Sequence, residues 1–377
     1  MFLLSARSSI IDYCKLPALL LSIFLVGCAS NPGISSAVGW NKLKGWSNDN
    51  HQELLPPLLA QCVKLAKKST SWQQICDNAK LLPTDNALRV QQFFQQWFEP
   101  HAVNGINSKT GLITGYYEPL LLGSMTKTSR FNYPLYKKPN DLLKITAAEN
   151  SNLLQVKDNR ARARRVNNNL VAYYSRAQID GPAQPLAGQE LLWVDDSDDA
   201  FFLHIQGSGL IQLTDGSVVS VGYADQNGHP YRAIGRDLVK MEEIAKQDIS
   251  LQSIKQWLTN NPAKAQALKN NNPSYIFFTL RTQLETGPRG SLNVPLTAQR
   301  SVAVDRSIIP LGTPLWLNTN LPESKQPYQR LMFAQDTGGA INGPVRVDVF
   351  FGRGDNAKLL AGSMKQEGQV FVLLPKK

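Results

Sequence analysis

FAQDTGGAINGPVRVDVFFGRGD, residues 333–355, is the stretch whose reading decides the fold. Residues 345–351, VRVDVFF, alternate with the period of a strand. Arg346, Asp348 and Phe350 share one face, and Val347 and Val349 share the other. If the valine face is the core of a barrel, Asp348 points into a cavity or groove beside Phe350. Burial next to an aromatic ring disfavours a charged carboxylate, and like-charged Asp336 nearby raises the pKa further. A carboxyl kept neutral in this way suits a general acid working near neutral pH. For two neighbouring aspartates a structural reading stands beside the catalytic one. Asp336 precedes Thr337-Gly338-Gly339 and suits an Asx-turn, and Asp305 precedes Arg306 and suits an ion pair. Turn chemistry does not apply to Asp348, which sits in mid-strand among apolar residues.

Outward from this stretch the same short-strand pattern continues. AVDRSIIPLGTPLWL, RLMFAQDTGG and QVFVLL lie around it, and GLITGYYEPLLLGS, QELLWV and AFFLHIQGSGLIQLTDGSVVSVGYA lie earlier. Gly, Pro and Asp-Gly turns join them. Helical spacing is confined to residues 51–100, where Leu54, Leu58 and Leu65 recur, and to 236–271. The pattern predicts a mainly β chain with helices (α+β) built on barrels rather than on a parallel layered sheet. The run RARARR at 160–165 reads as a solvated loop tip or as a contact for anionic peptides or head groups.

The first 28 residues read as a leader. Arg7 and Lys15 precede PALLLSIFLVG, which is too short to span a bilayer, and Leu25-Val26-Gly27-Cys28 resembles a lipoprotein cleavage box. Cys28 would then carry the lipids, and Ala29-Ser30 after it favours the outer membrane, with the chain facing the periplasm. Residues 29–50, rich in Ser, Asn and Gly, read as a tether. Cys62 and Cys76 meet an oxidising compartment, which favours a disulfide over two buried thiols. Such a bridge contributes about 3 kcal/mol in the chain-entropy model. The net charge of +11 on an exported chain points to anionic envelope polymers as partners rather than to nucleic acid.

Other chemistries lack their residues. There is no Gly-x-Ser-x-Gly elbow, no phosphate-binding loop and no calcium-loop spacing, and GSG at 207–209 lacks a following lysine. The four histidines are not at ligand spacing to the cysteines, so neither metal nor cofactor is expected.

TGYYEP (114–119), FFLHIQGSG (201–209), GYADQNGHPYRAIGR (222–236), VAVDRSIIPLGTPLWL (302–317) and DTGGAINGPVRVDVFFGRGD (336–355) follow one another in order. Together they resemble the membrane-bound lytic murein transglycosylase A family, from about Cys62 to the C-terminus. The resemblance implies a double-psi β-barrel catalytic domain, similar to the barrels of expansins and some endoglucanases, with a second β-barrel domain inserted. On that reading residues 51–119 and 273–377 form the catalytic domain and 120–272 the insert. The catalytic aspartate falls on Asp348, with Asp336 and Asp305 as its neighbours. Tyr117, Glu118, Gln206, Gly207, Ser208 and Gly209 would line the glycan groove. The implied reaction cleaves the β-1,4 bond between N-acetylmuramic acid and N-acetylglucosamine in peptidoglycan strands and leaves 1,6-anhydro ends. Two other readings stay open: a two-carboxylate glycan hydrolase, and a non-catalytic wall-binding lipoprotein. Protein partners are not legible in the sequence.

Overall fold

The computed structural model describes residues 32–146, 148–149, 161–281, 284–322 and 326–376. The leader, Cys28 and Arg160 lie outside them. The strands, numbered in chain order, begin with β1 (Gly33–Ala37), β2 (Phe98–Asn104) and β3 (Gly111–Glu118). The middle of the chain holds β4 (Leu120–Ser124), β5 (Tyr133–Tyr136), β6 (Leu143–Lys144), β7 (Arg162–Val166), β8 (Asn169–Ala172), β9 (Glu190–Val194), β10 (Gly209–Leu213), β11 (Val218–Gln226) and β12 (Ile276–Arg281). The last are β13 (Ser301–Val304), β14 (Pro314–Asn320), β15 (Pro327–Asp336), β16 (Val347–Arg353) and β17 (Lys365–Pro375). The helices are α1 (Leu55–Leu65), α2 (Thr70–Ala79), α3 (Ala87–Trp97), α4 (Arg176–Ile179), α5 (Ser197–Gln206), α6 (Ile234–Lys240), α7 (Leu251–Asn260), α8 (Pro262–Asn270) and α9 (Gly354–Ser363).

One sheet runs β1-β2-β17-β14-β15-β13-β16-β3, and β3 also pairs with β17. The second pairing closes six strands, β17-β14-β15-β13-β16-β3, into a barrel, which removes exposed edges. The pairs β13–β15 and β16–β3 are parallel, and the others in the ring are antiparallel. Alternation along the strands fills the interior: Ile113, Val302, Val304, Leu315, Leu317, Met332, Ala334, Val347, Val349 and Val370 belong to one buried cluster. Gly115 on β3 is required by close packing, because a Cβ there would lie 2.5 Å from the Phe351 ring and 3.0 Å from Ala361 of α9.

The opposite face of β14, β15 and β17 presents Trp316, Leu331, Phe333 and Leu373, which pack under α1, α2 and α3 through Leu58, Ile75, Val90 and Phe94. Ser69 and Asn86 cap the second and third of these helices by accepting N–H bonds from Trp72 and Arg89. A Cys62–Cys76 disulfide joins α1 to α2, with Cα atoms 5.5 Å apart.

The expected tether at 29–50 is shorter than the sequence suggests. β1 pairs with β2, and Trp46 is buried against Trp316. Asp49 receives both Arg300 NH1 and NH2 at 2.8 Å, and Glu53 accepts from the same guanidinium at 2.9–3.0 Å. Arg300 is 1% exposed, so the acidic residues of this polar-looking segment are what allow that cation to be buried.

Between Glu118 and Leu120 the chain leaves the closed barrel for a second sheet, β12-β11-β10-β4-β9-β5. Its outer edges meet at a bridge between Lys137 and Phe278, so this sheet also curls into a barrel-like unit. β6, β7 and β8 form a small appended sheet. The inserted sheet ends at Arg281, beyond the expected boundary at 272, because β12 pairs along β11 rather than with the closed barrel. Residues 236–271 side with the insert: α6, α7 and α8 pack on Phe201 and Phe202 of α5. Two other sequence expectations are corrected. Residues 197–206 are a helix capped by Asp196, not a strand. Residues 162–165 of the basic run lie in a strand rather than at a loop tip: Arg162 is buried with its Nε 2.9 Å from Asp225 Oδ1, and Arg164 stacks 4.1 Å from the Tyr174 ring.

Candidate active site

Three strands of the closed barrel bring the carboxylates together. Asp348 on β16 lies opposite Thr114 on β3 and Ala303 on β13. Ala303 is also the partner of Asp336 at the end of β15. The two aspartates therefore flank one strand from either side. Val347 and Val349 point into the core and Asp348 points away from it, as period two demands. Tyr116 shares the outward face of β3 with Thr114, and its ring packs 5.3 Å from Phe350. Its hydroxyl donates to Asp336 Oδ2 at 2.9 Å.

Asp348 keeps part of its surface open yet is ringed by protein. Burial raises its pKa, Arg346 and the Thr114 hydroxyl oppose the rise, and Asp336 adds to it. Thr114 donates to Oδ1 at 2.5 Å, and Arg346 NH1 donates to Thr114 Oγ1 at 2.9 Å. Asp336 is also raised, again by burial. Four donors resist that: the N–H groups of Thr337 and Ser291 and the hydroxyls of Ser291 and Tyr116. Burial pushes the Tyr116 phenol well above its ordinary range, and both aspartates push it further, so it remains a donor. From the insert, burial raises the Tyr231 phenol, and Asp348 adds to the rise. The Asp348 charge thus reaches Tyr231 of the second unit, and Asp348, Asp336, Thr114 and Tyr116 are each half-buried.

The remaining expected site residues divide. Asp305 anchors a turn: Oδ1 accepts from Ser307 N–H and Oγ, and Oδ2 accepts from Gly343 N–H at 2.8 Å, four residues before β16. Tyr117 is 7% exposed and belongs to the barrel core, because odd positions of β3 face inward; Tyr116 is the tyrosine that shares the outward face with Thr114. Glu118 is 1% exposed and ion-paired to Arg353, so it is closed to a ligand. Burial raises its pKa, and Arg353 opposes the rise. Gln206 accepts the Tyr117 N–H at 3.2 Å, and Gly207 ends α5 with φ +79°. Ser208 is half-buried in this corner, and Gly209 is buried against Pro119. The Gln206–Gly209 corner thus seats the insert on the end of β3. Thr114 and Tyr116 lie in the TGYYEP segment that the resemblance places at the groove, whereas Tyr231 and Ser291 were not named as site residues. Strand parity could have ranked Tyr116 with Thr114, but no sequence signal connects Tyr231 or Ser291 to Asp348. Among the described residues no group of three His, Cys, Asp or Glu side chains could hold a metal ion.

A closed barrel that carries two desolvated carboxyls on neighbouring strands has the groups that acid–base chemistry needs, and comparison with known proteins gives the family. The model of the MltA specific insert domain matches residues 112–279, and that of the 3D domain matches residues 300–374. A membrane-bound lytic murein transglycosylase from Agrobacterium tumefaciens superposes with a TM-score of 0.80 at 30% identity, covering 91% of this chain and 98% of that one. MltA from Neisseria gonorrhoeae gives 0.76 at 32% identity, covering 92% and 96%. Membrane-bound lytic murein transglycosylase A of Escherichia coli K12 is 35% identical over 268 residues, 69% of this chain; the match spans 64% of that relative's length. The chain belongs to the membrane-bound lytic murein transglycosylase A family. No helix of the described residues is long and apolar enough to cross a membrane.

Proposed function

We propose that the chain is a lytic transglycosylase that cleaves the β-1,4 bond between N-acetylmuramic acid and N-acetylglucosamine in peptidoglycan. The observation that carries this reading is Asp348: a half-buried carboxyl with a raised pKa, on the outward face of its strand, beside an aspartate whose oxygens are already engaged. Protonated Asp348 donates to the bridging oxygen as the C1–O bond breaks and the muramyl ring gains oxocarbenium character. The resulting carboxylate takes the proton from the sugar's own C6 hydroxyl, whose oxygen closes on C1. The product has a 1,6-anhydro end, no water is consumed, and Asp348 regains its proton. A hydrolase would need a second carboxylate able to activate water or attack the sugar. Asp336 is held by four donors and Asp305 by a turn, which disfavours that role for either.

We further propose that the closed barrel is of the double-psi kind and that the glycan lies in the cleft between it and the insert. Cys28, lipidated after removal of the leader, would hold the protein on the outer membrane facing the periplasm. Digestion of purified peptidoglycan followed by mass spectrometry tests the reaction. Muropeptides lacking one water relative to reducing ends are expected, and reducing ends alone would overturn the proposal.

A further inference from the structure

The guanidinium of Arg346 only donates hydrogen bonds. Its NH1 is directed at Thr114 Oγ1 at 2.9 Å, at Val347 O at 2.9 Å and at Leu112 O at 3.3 Å. Thr114 Oγ1 therefore accepts from Arg346, and its single O–H is left for Asp348 Oδ1, 2.5 Å away. That order fixes the polarity of the whole line, Arg346 to Thr114 to Asp348. With the Thr114 O–H donated to Oδ1, the other carboxyl oxygen, Oδ2, is the one left to hold a proton.

We propose that Arg346 and Thr114 form a relay that assigns the transferable proton to Asp348 Oδ2 and stabilises the carboxylate left when that proton departs. The proposal rests on the reading of Asp348 as the acid and adds the residues that orient it. The backbone makes the relay rigid. Thr114 and Asp348 are register partners in a parallel strand pair, and two backbone carbonyls hold Arg346. A hydroxyl that accepts from a cation is a stronger donor, because successive hydrogen bonds polarise one another. Asp336, across β13, also acts on Asp348, and the Asp348 charge in turn raises the phenols of Tyr116 on β3 and Tyr231 in the insert. Tyr116 donates to Asp336, which leaves the Thr114 line to act on Asp348. Arg346 and Thr114 are thus positioning residues, acting through Asp348.

The test compares Thr114→Ser, Thr114→Val and Arg346→Gln with wild type on purified peptidoglycan, across pH, with melting curves for each. Thr114→Ser keeps the hydroxyl and should stay near wild type. Thr114→Val should lose about 10- to 100-fold in kcat/KM, the factor of one hydrogen bond to a charged group. Both Thr114→Val and Arg346→Gln remove a group that favours the charged form, so the pKa of Asp348 rises. The alkaline limb of the rate profile should therefore move up by about one pH unit. Equal losses in Thr114→Ser and Thr114→Val, or an alkaline limb that stays in place in folded variants, would overturn the relay. Asp348→Asn run alongside separates the two ideas. An inactive Asp348→Asn with an unmoved limb in the relay variants defeats the relay alone, whereas an active Asp348→Asn defeats the acid assignment beneath it.

Discussion

At the proposed site Asp336 would act on Asp348 without touching the reacting bond. Its oxygens receive Ser291, Thr337 and Tyr116, and its charge raises the pKa of Asp348. Removing the charge removes that upward push. Asp336→Asn is therefore expected to move the alkaline limb of kcat/KM to lower pH while keeping measurable turnover. A limb that does not move in the folded variant reduces Asp336 to a structural role. Asp348 itself was legible in the sequence, because an ionisable residue inside VRVDVFF breaks a period-two pattern that has no turn to explain it. The choice between Tyr116 and Tyr117 was not legible. Alternation says that one of them faces inward, and only the register of β3 against β16, which pairs Thr114 with Asp348 and Tyr116 with Phe350, says which.

At the scale of elements, the errors have a common origin. AFFLHI is a short apolar run, and periodicity alone cannot separate a buried helix from a buried strand. The deciding feature is Asp196, whose carboxylate accepts the N–H groups of Asp198 and Asp199 at 2.7 and 2.9 Å and so starts a helix. The basic run departs from its expected exposure for a related reason: Arg162 is buried because Asp225, 63 residues later, meets it. The polar segment before α1 is ordered by the same kind of distant partner. Asp49 accepts from Arg300 and from Leu331 N–H. Asp49→Ala leaves a buried guanidinium short of a partner and should destabilise the protein by about 3–5 kcal/mol, read from urea unfolding. A loss below about 1 kcal/mol would mean that the segment contributes only a surface-like pair.

For the whole molecule, the strand pattern showed barrels but not which strands close them, since closure depends on pairings such as β3 with β17, far apart in the chain. One arginine ties together the two segments that join the units. Arg353 pairs with Glu118, where the chain leaves the closed barrel, and donates to the carbonyl of Glu285 at 3.2 Å, on the segment that returns to it. Burial already raises the pKa of Glu118, and Arg353 restrains it. Without the arginine the folded-state pKa rises further, so ionisation of Glu118 costs stability as pH increases through it. Arg353→Met should therefore melt lower at pH 8 than at pH 5 relative to wild type. Adding Glu118→Gln should remove that pH dependence; its persistence would place the cause elsewhere. The proposed reaction stands only if one carboxyl of the closed barrel both gives and recovers a proton. The most direct measurement is the lytic rate of Asp348→Asn on purified sacculi, with its fold checked by circular dichroism. The proposed role predicts a loss of at least about 100-fold, the lower end for general acid–base catalysis, with glycan binding retained. A folded Asp348→Asn that lyses sacculi at the wild-type rate would contradict it.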